Sequence, residues 1–260
     1  MSTATAATPR RVRWVSALRE VLLIALLYLA YSGVRLLADT HVASAVDHAN
    51  SVLHVERLLG LDIEQFLNHL TAESTWLGVG MSYWYSSLHY VVTPAVLVWM
   101  FWRHRDHYPR VRSALILASA IALVGYLLVP MAPPRLMANG YVDVLAQTAP
   151  HGWWSDHASA PIGLDGLTNE LAAMPSLHVG WAIWVAWAVA SHTGRRGRTL
   201  AIAMAIAYAV GTVIVVIGTG NHWMLDAVAG ALLMAFSIVA VNATGRRRSK
   251  ASEDELRDFA

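Results

Sequence analysis

The 260-residue sequence contains no cysteine and few charged residues. Without cysteine, the chain can form neither disulfides nor thiolate metal sites, and thiol nucleophiles are excluded. Charged residues make up only 14% of the chain, against about 25% in a typical soluble domain. In contrast, 56% of the residues are hydrophobic and the mean hydropathy is +0.45. This composition excludes a disordered chain and indicates a protein whose main solvent is the lipid bilayer.

Long apolar stretches recur along the chain. A helix needs roughly 20 apolar residues to cross a bilayer core of about 30 Å. The stretches that approach or reach this length are residues 21–38, 81–102, 113–130, 174–191, 199–218 and 223–241. We therefore predict an all-α, polytopic membrane protein with six transmembrane helices. Residues 1–260 form a single integral membrane catalytic domain in this interpretation, with flexible tails at about 1–9 and 249–260.

Basic residues collect at one end of the predicted spans. Most Lys and Arg residues lie before the first span, after the last, or in the connections after the second and fourth spans. The two long connections on the opposite side contain only Arg57 and Arg135. Because basic connections stay in the cytoplasm, both termini are predicted to be cytoplasmic and the long connections to face outward. The expected location is the plasma (cytoplasmic) membrane.

The first outer connection, residues 40–76, shows helical periodicity. Apolar residues recur at helical spacing around 46–53 and again around 63–67. Short amphipathic helices are predicted here, either lying on the outer membrane surface or packing onto the helical bundle. Glu56 and Glu64 in these helices are expected to be surface residues.

Residues that can carry chemistry lie near the predicted outer side. Residues 130–136, after the third span, read Pro-Met-Ala-Pro-Pro-Arg-Leu, and residues 174–178, which open the fourth, read Met-Pro-Ser-Leu-His. Residues 218–226, which lead into the sixth span, read Gly-Thr-Gly-Asn-His-Trp-Met-Leu-Asp. The topology places all three segments at one membrane face, so their histidines, carboxylate and arginine can converge on one site.

The spacing of His222 and Asp226 favours a paired function. Residues four apart share a face of a helix, so the carboxylate can accept a proton from one imidazole nitrogen and leave the other as a base or nucleophile. A carboxylate inside an apolar span is usually functional, although Asp226 could instead bond a neighbouring helix. His178 follows Pro175 and Ser176, a pattern typical of a helix start capped by serine. His178 is a candidate general acid, with a structural role as the alternative.

Several residues suit an anion beside His222. The turn containing Gly220 and Asn221 is predicted to offer free amides at the positive end of a helix dipole. Arg135 can bind the same anion bidentately, or it can bind lipid head groups or cap a carbonyl instead. Phosphate is the anion that fits this combination of donors. Tyr85 and His89 in the second span share a face and are candidates for lining the pocket.

A metal centre has little support in the sequence. His151, Asp156 and His157 are potential ligands, but their irregular spacing in a loop is not typical of a metal site. The histidine chemistry proposed for this site needs no metal and no other cofactor.

At these motifs the chain resembles the type 2 phosphatidic acid phosphatase superfamily. Its second and third signatures are Pro-Ser-x-His and His-x-x-x-Asp, which residues 175–178 and 222–226 match in the same order. The resemblance implies that His222 is a nucleophile that forms a phosphohistidine, that Asp226 orients it and that His178 is the general acid. It also implies that Ser176 contacts the phosphate.

The sequence departs from the superfamily pattern at two of its cations. The first signature has a lysine seven residues before its Arg-Pro pair, but here Leu128 stands at that position and Leu136 follows Arg135. The third signature begins with Ser-Arg, where this chain has Val215 and Val216. The Ala-Pro-Pro-Arg and Asn-His-Trp sequences resemble the branch that includes the inositol phosphorylceramide synthases, which pass phosphoryl head groups to an alcohol.

The expected activity is therefore that of a lipid phosphate or isoprenoid pyrophosphate phosphatase at the outer membrane face. The alternative is a phosphotransferase that moves a phosphoryl head group to inositol or a sugar. A non-catalytic lipid-binding relative and a transporter are the rivals from other classes. The expected partners are a lipid phosphate and membrane lipids, with no nucleic acid, and the sequence does not define an oligomeric state.

Overall fold

The protein is a bundle of helices in its computed structural model, which describes residues 42–138, 140–155 and 170–258, isolated positions between 18 and 33, and side chains as far as 245. The helices are α1 (Val42–Leu59), α2 (Glu64–Ala72), α3 (Thr75–Tyr83), α4 (His89–Arg103), α5 (Tyr108–Leu128), α6 (Val144–Thr148), α7 (Leu177–His192), α8 (Arg198–Gly218) and α9 (Met224–Asp258). Across these ranges the β-structure is one isolated bridge between Met131 and Ala172. The predicted all-α class is confirmed for this part of the chain.

Among the described residues, three helices are long and apolar enough to cross a membrane. They are α5, α8 and the Met224–Gly245 part of α9, and they confirm the predicted apolar helices at 113–130, 199–218 and 223–241. Large apolar side chains on them, such as Leu200, Val210 and Phe236, are exposed. A surface of this kind is suited to lipid rather than to water.

The other predicted spans differ from a simple long helix. Span 81–102 is divided into α3, a π-helical turn at Trp84–Leu88 and α4. Span 174–191 is realised as α7, which has 16 residues. The predicted span 21–38 and the predicted tail 1–9 lie largely outside the described residues. Helix α9 continues to Asp258, through most of the predicted tail 249–260.

Helix α7 lies at the centre of the bundle, where it packs against α4, α5, α8 and α9. Trp184 of α7 is fully buried and donates its indole N–H to the Val111 carbonyl at 2.8 Å. At Gly230 of α9 an added Cβ would lie 2.1 Å from the Ser176 carbonyl oxygen. Glycine at this position lets α9 approach the first turn of α7 closely, which brings the two histidine motifs together.

The connection at residues 40–76, predicted to face outward, folds onto the bundle over its described part. Helices α1 and α2 confirm the predicted amphipathic helices, and the packing interpretation is the correct one because α1 contacts α9 and α2 contacts α8. Ala45, Ala49 and Leu53 bury the apolar face of α1 against residues of the 131–137 segment and Trp223. These helices cover the end of the bundle that holds the candidate site.

Candidate active site

Backbone hydrogen bonds join the three motif segments at one end of the bundle. The Met131 amide donates to Leu171 at 2.7 Å, and the Arg135 amide donates to Gly220 at 2.9 Å. The Ser176 amide donates to the Asp226 carbonyl, also at 2.9 Å. Hydrogen bonds between backbone groups therefore produce the convergence that the topology predicted. Side chains from all three segments line one cavity.

His222 is buried and held in one tautomer. Its Nδ1 lies 2.8 Å from the Ala173 carbonyl oxygen, and because a carbonyl can only accept, Nδ1 carries the proton and donates it. Oδ2 of Asp226 is 3.4 Å from the same nitrogen and also accepts the Trp223 amide at 2.9 Å. In the neutral ring, Nε2 is then the nitrogen with the lone pair. The predicted His222–Asp226 pairing is present, with the Ala173 carbonyl as the nearer acceptor.

His178 lies between aromatic rings close to His222. Its ring stacks on Tyr85 with centroids 4.4 Å apart, and His89 meets it edge-on at 4.5 Å. The His178 and His222 ring centroids are 5.8 Å apart. Ser176 caps α7, as predicted, by accepting the Val179 amide, and this cap fixes the first turn that carries His178.

The π-helical turn explains how Tyr85 and His89 reach His178. A π turn inserts an extra residue into a helix and rotates the side chains around it, and such turns are frequent at functional sites. Tyr85 lies within the turn and His89 directly follows it. The His89 Nδ1 donates to the Tyr85 carbonyl at 3.0 Å, which orients the imidazole. Both residues line the same cavity as the two other histidines.

Arg135 is a buried cation with a full set of partners. Its side chain is 6% exposed, and it pairs with Asp143 at 3.0 Å and with Glu170 at 3.4 Å. Nε donates to Oδ1 of Asn221 at 3.0 Å. Burial lowers the pKa of Arg135, but the attraction of Asp143 and Glu170 is stronger, and the pKa is raised overall. The guanidinium is a permanent positive charge next to the His222 turn, and its long contact with Glu170 is the one that a phosphate could replace.

The amides of the glycine turn are not free, contrary to the sequence expectation. Gly220 donates its N–H to Ile217, and both Asn221 and His222 donate to Val216. These bonds close the end of α8, so the turn uses its donors internally. Gly220 has a φ of +74° and lies against Arg135, and the Asn221 side chain holds the guanidinium. Gly220 and Asn221 therefore belong to the site because they contact Arg135, and their backbone amides are not open to an anion.

Two buried glutamates were missed by the sequence interpretation. Glu56 and Glu64 are fully buried, so the prediction that they are surface residues is wrong. Oε1 of Glu64 accepts the Met224 amide at 2.8 Å, and Oε1 of Glu56 accepts the Leu225 amide at 2.7 Å. Both therefore bind the first turn of α9, immediately after His222. The helical periodicity of the loop showed where the helices lie but not which polar side chains turn inward.

A cavity of about 640 Å³ begins at the histidines and extends along α4 and α5. His178, His222, Arg135 and Glu170 line its polar end. Its remaining walls are mostly apolar side chains of α4 and α5, among them Leu97, Val98, Phe101, Leu115, Ile116 and Leu123. A phosphate can thus bind at one end while an apolar chain follows the helices.

The potential metal ligands do not form a visible cluster. His151 is exposed, and Asp156 and His157 lie outside the described residues. Among the described residues, no group of three histidine or carboxylate side chains is arranged to hold a metal ion.

Comparison with known proteins shows the family of the chain. A family model described as the PAP2 superfamily matches residues 50–240. The chain belongs to the PAP2 superfamily. No curated protein and no solved structure matches the chain. The matched range includes Arg135, His178, His222 and Asp226, and PAP2 membership supports a phosphoesterase or phosphotransferase activity on a lipid phosphate.

Proposed function

We propose that this PAP2 protein is a lipid phosphate or isoprenoid pyrophosphate phosphatase that works through a phosphohistidine on His222. The observation that carries the proposal is the shape of the cavity, which joins two facing histidines to a long apolar groove. A soluble phosphate ester has no apolar chain to fill such a groove. A lipid phosphate has a phosphate group for the polar end and a hydrocarbon chain for the apolar walls.

The geometry supports a two-step reaction. In the first step Nε2 of His222 attacks phosphorus, the bond from phosphorus to the leaving oxygen breaks, and His178 donates a proton to that oxygen. In the second step His178 takes a proton from water, whose oxygen attacks the phosphohistidine, and His222 leaves as the free imidazole with inorganic phosphate as the product. Asp226 stabilises the positive ring that exists between the two steps.

The phosphoryl oxygens need a positive partner throughout. Among the described cavity residues, Arg135 is the permanent cation at the histidine end, and a phosphate that replaces Glu170 would pair with the guanidinium at Nη2. Asn221 lines the cavity and is proposed to complete this pocket around Arg135, while Ser176 and Gly220 are proposed to support it, Ser176 by capping α7 and Gly220 by packing against Arg135. The superfamily cations that are missing here leave Arg135 with the main share of charge stabilisation.

The apolar groove indicates a long hydrocarbon chain. From Tyr85 to Trp102 the helical rise amounts to roughly 25 Å, close to the 30 Å thickness of a bilayer core. Both residues line the cavity. A chain that starts at the histidines can therefore remain in contact with protein across most of one membrane span.

We further propose the six-span topology, with both termini in the cytoplasm and the histidines facing outward in the plasma membrane. The basic residues of the 103–112 and 195–198 connections support this orientation. They lie at the end of the bundle opposite to the histidine motifs.

Cysteine labelling is expected to report this topology directly, because the native chain has no cysteine. Glu73 is exposed near the histidine end, and Gly194 at the opposite end has open space around a new Cβ. In intact cells Glu73→Cys should react with an impermeant thiol reagent, whereas Gly194→Cys should react only after lysis. The reverse pattern would place the active site in the cytoplasm.

A phosphotransferase is the second candidate, and Glu170 is the observation that favours it. A carboxylate next to a phosphate site repels the phosphate, but it is a good acceptor for hydroxyl groups. In this version an alcohol such as inositol or a sugar replaces water in the second step, as in the inositol phosphorylceramide synthase-like branch. Glu170 would then bind the acceptor hydroxyls when the phosphate displaces it from Arg135.

An assay with labelled lipid phosphate separates these functions. The detergent-solubilised protein is supplied with ³²P-labelled lipid phosphate in the presence of EDTA, with and without inositol or a sugar. Free phosphate in both reactions indicates the phosphatase, and a new labelled ester that appears only with the alcohol indicates the transferase. A protein that releases and transfers no label from any lipid phosphate, and still binds the lipids, would be a non-catalytic relative.

A further inference from the structure

The first amides of α9 are capped by side chains from distant parts of the chain. The N-terminal amides of a helix have no partner within the helix and usually bond a neighbouring Ser, Thr, Asp or Asn. Here Glu64 accepts the Met224 amide and Glu56 accepts the Leu225 amide, across sequence separations of 160 and 169 residues. Asp226 accepts the Trp223 amide within the same turn. Carboxylate groups therefore surround the point from which His222 extends.

These carboxyl groups are too enclosed for all of them to be ionised. Glu56, Glu64 and Asp226 are each fully buried. Among the described residues, no N–H or O–H group donates to Oε2 of Glu56, Oε2 of Glu64 or Oδ1 of Asp226, and the Glu56 and Glu64 carboxyl groups lie within reach of a hydrogen bond to each other. Two neighbouring carboxylates in a dry site repel each other and share a proton instead. Burial raises the pKa of Glu56 to about 8, with Glu64 and Asp226 adding to the shift, while the Leu225 amide acts against it.

We propose that Glu56 and Glu64 are positioning residues of the active site, which share one proton and together hold the first turn of α9 so that His222 and Asp226 keep their reactive geometry. The inference rests on the proposed role of His222 as nucleophile. The protonated Glu56 carboxyl donates to Glu64, and each residue keeps one oxygen for its α9 amide. The positive end of the α9 dipole stabilises the one negative charge that remains on the pair.

Carboxyl groups and a tyrosine face Glu56 from the neighbouring elements. Glu64 faces it from α2 and Asp226 from α9. Tyr141 contributes a hydroxyl whose pKa burial raises to about 12, so it stays neutral at physiological pH. Arg57 and Asp62 are further charges that act on Tyr141. Loss of the Glu56 proton therefore puts a second charge on the pair, directly beside the Asp226 carboxylate.

The sign of the pH dependence follows from this arrangement. The folded protein keeps a proton on Glu56 up to about pH 8, whereas the unfolded chain releases it near pH 4.5. The folded state thus binds more protons between these values, and stability falls as the pH rises through this window. Turnover should fall as the pH passes about 8, because repulsion between the carboxylates loosens the first turn of α9.

The test compares Glu56→Gln with Glu56→Leu. Glutamine can accept the Leu225 amide and donate to Glu64 at every pH, whereas leucine can do neither. At pH 7 we expect Glu56→Leu to lose at least tenfold in kcat with a KM within threefold of wild type. We expect Glu56→Gln to keep most of the wild-type kcat. Above pH 8 the wild type should lose turnover while Glu56→Gln does not. Glu73→Gln, an exposed change in the same connection, is the matched control and should behave as wild type.

Two measurements report on the pair without any turnover. The melting temperature should decrease for wild type between pH 5 and pH 8 more steeply than for Glu56→Gln. The ¹⁵N resonances of the His222 ring, assigned by difference with His222→Gln, should shift near pH 8 in the wild type and not in Glu56→Gln. If neither the wild type nor any variant acts on a lipid phosphate, the proposed function is overturned. The pH dependence of the melting temperature and of the His222 resonances would then still decide the positioning role of Glu56.

Two outcomes would overturn the inference itself. One is a Glu56→Gln protein whose melting curve and His222 resonances follow the same pH dependence as the wild type. The other is a folded Glu56→Leu protein with wild-type kcat, which would show that the first turn of α9 needs no help from Glu56. If Glu56→Leu fails to fold, the comparison of wild type with Glu56→Gln still decides.

Discussion

Replacement of His222 by alanine is expected to abolish both turnover and the covalent phosphoenzyme. Nε2 of His222 is the nitrogen left with a lone pair after Nδ1 donates to Ala173, and in the proposed mechanism it forms the bond to phosphorus. Loss of a nucleophile that forms the intermediate typically lowers kcat by about 10⁴-fold or more. The measurement is the release of ³²P from labelled lipid phosphate, together with acid-labile label on the protein after rapid quenching.

The control for this substitution is His151→Ala. His151 is exposed on the same side of the protein, so its loss should leave turnover and labelling unchanged. Both variants should elute from gel filtration in detergent as the wild type does. Turnover by His222→Ala above a tenth of wild type, or label that persists on the protein, would assign the nucleophile to another residue.

The site motifs were predictable because their chemistry is local in sequence. His222 and Asp226 are one helical turn apart, and Ser176 caps α7 from a position next to His178. Hydropathy then placed these separate motifs at the same end of the bundle. The lengths of the apolar stretches and the distribution of basic residues were sufficient to place the motifs at one end. Long apolar stretches predict spans, and basic connections predict which ends of the spans lie together.

The partners of the motifs were not predictable, because they depend on contacts between distant segments. Glu56 and Glu64 lie in amphipathic helices whose polar residues usually face solvent, and their partners lie 160 residues or more away. The amides of the turn around Gly220 were expected to be open, but they close the C-terminal end of α8. The π-helical turn that aims Tyr85 at His178 has no marker in the sequence.

These unpredicted contacts change the electrostatic account of the site. The positive end of the α9 dipole is occupied by Glu56 and Glu64, so it is not available to the substrate phosphate. In the proposed mechanism, charge stabilisation then depends on Arg135, which is itself held by Asp143, Glu170 and Asn221. A guanidinium that Asp143 and Asn221 hold in place needs little reorganisation when phosphoryl charge develops.

Replacement of His178 by alanine is expected to have an effect that depends on the leaving group. A poor leaving group such as an alcohol departs readily only when its oxygen is protonated as the bond to phosphorus breaks, and loss of a general acid typically costs about 10²–10⁴-fold for such a group. A nitrophenolate leaves without a proton, so the first step with an aryl phosphate should change less than tenfold. The measurement is the initial burst of nitrophenol for the aryl substrate and the rate of phosphoenzyme formation for the lipid phosphate.

The second step gives this prediction a further signature. His178 also takes the proton from the attacking water, so the His178→Ala protein should form phosphohistidine from an aryl phosphate and then hydrolyse it slowly. A burst of nitrophenol close to one equivalent, followed by a slow steady state and a labelled protein that accumulates, is the expected pattern. The wild type should show less accumulated label under the same conditions. Equal losses in the first step for both substrates would mean that His178 supports the position of His222 through its ring contacts rather than transferring a proton.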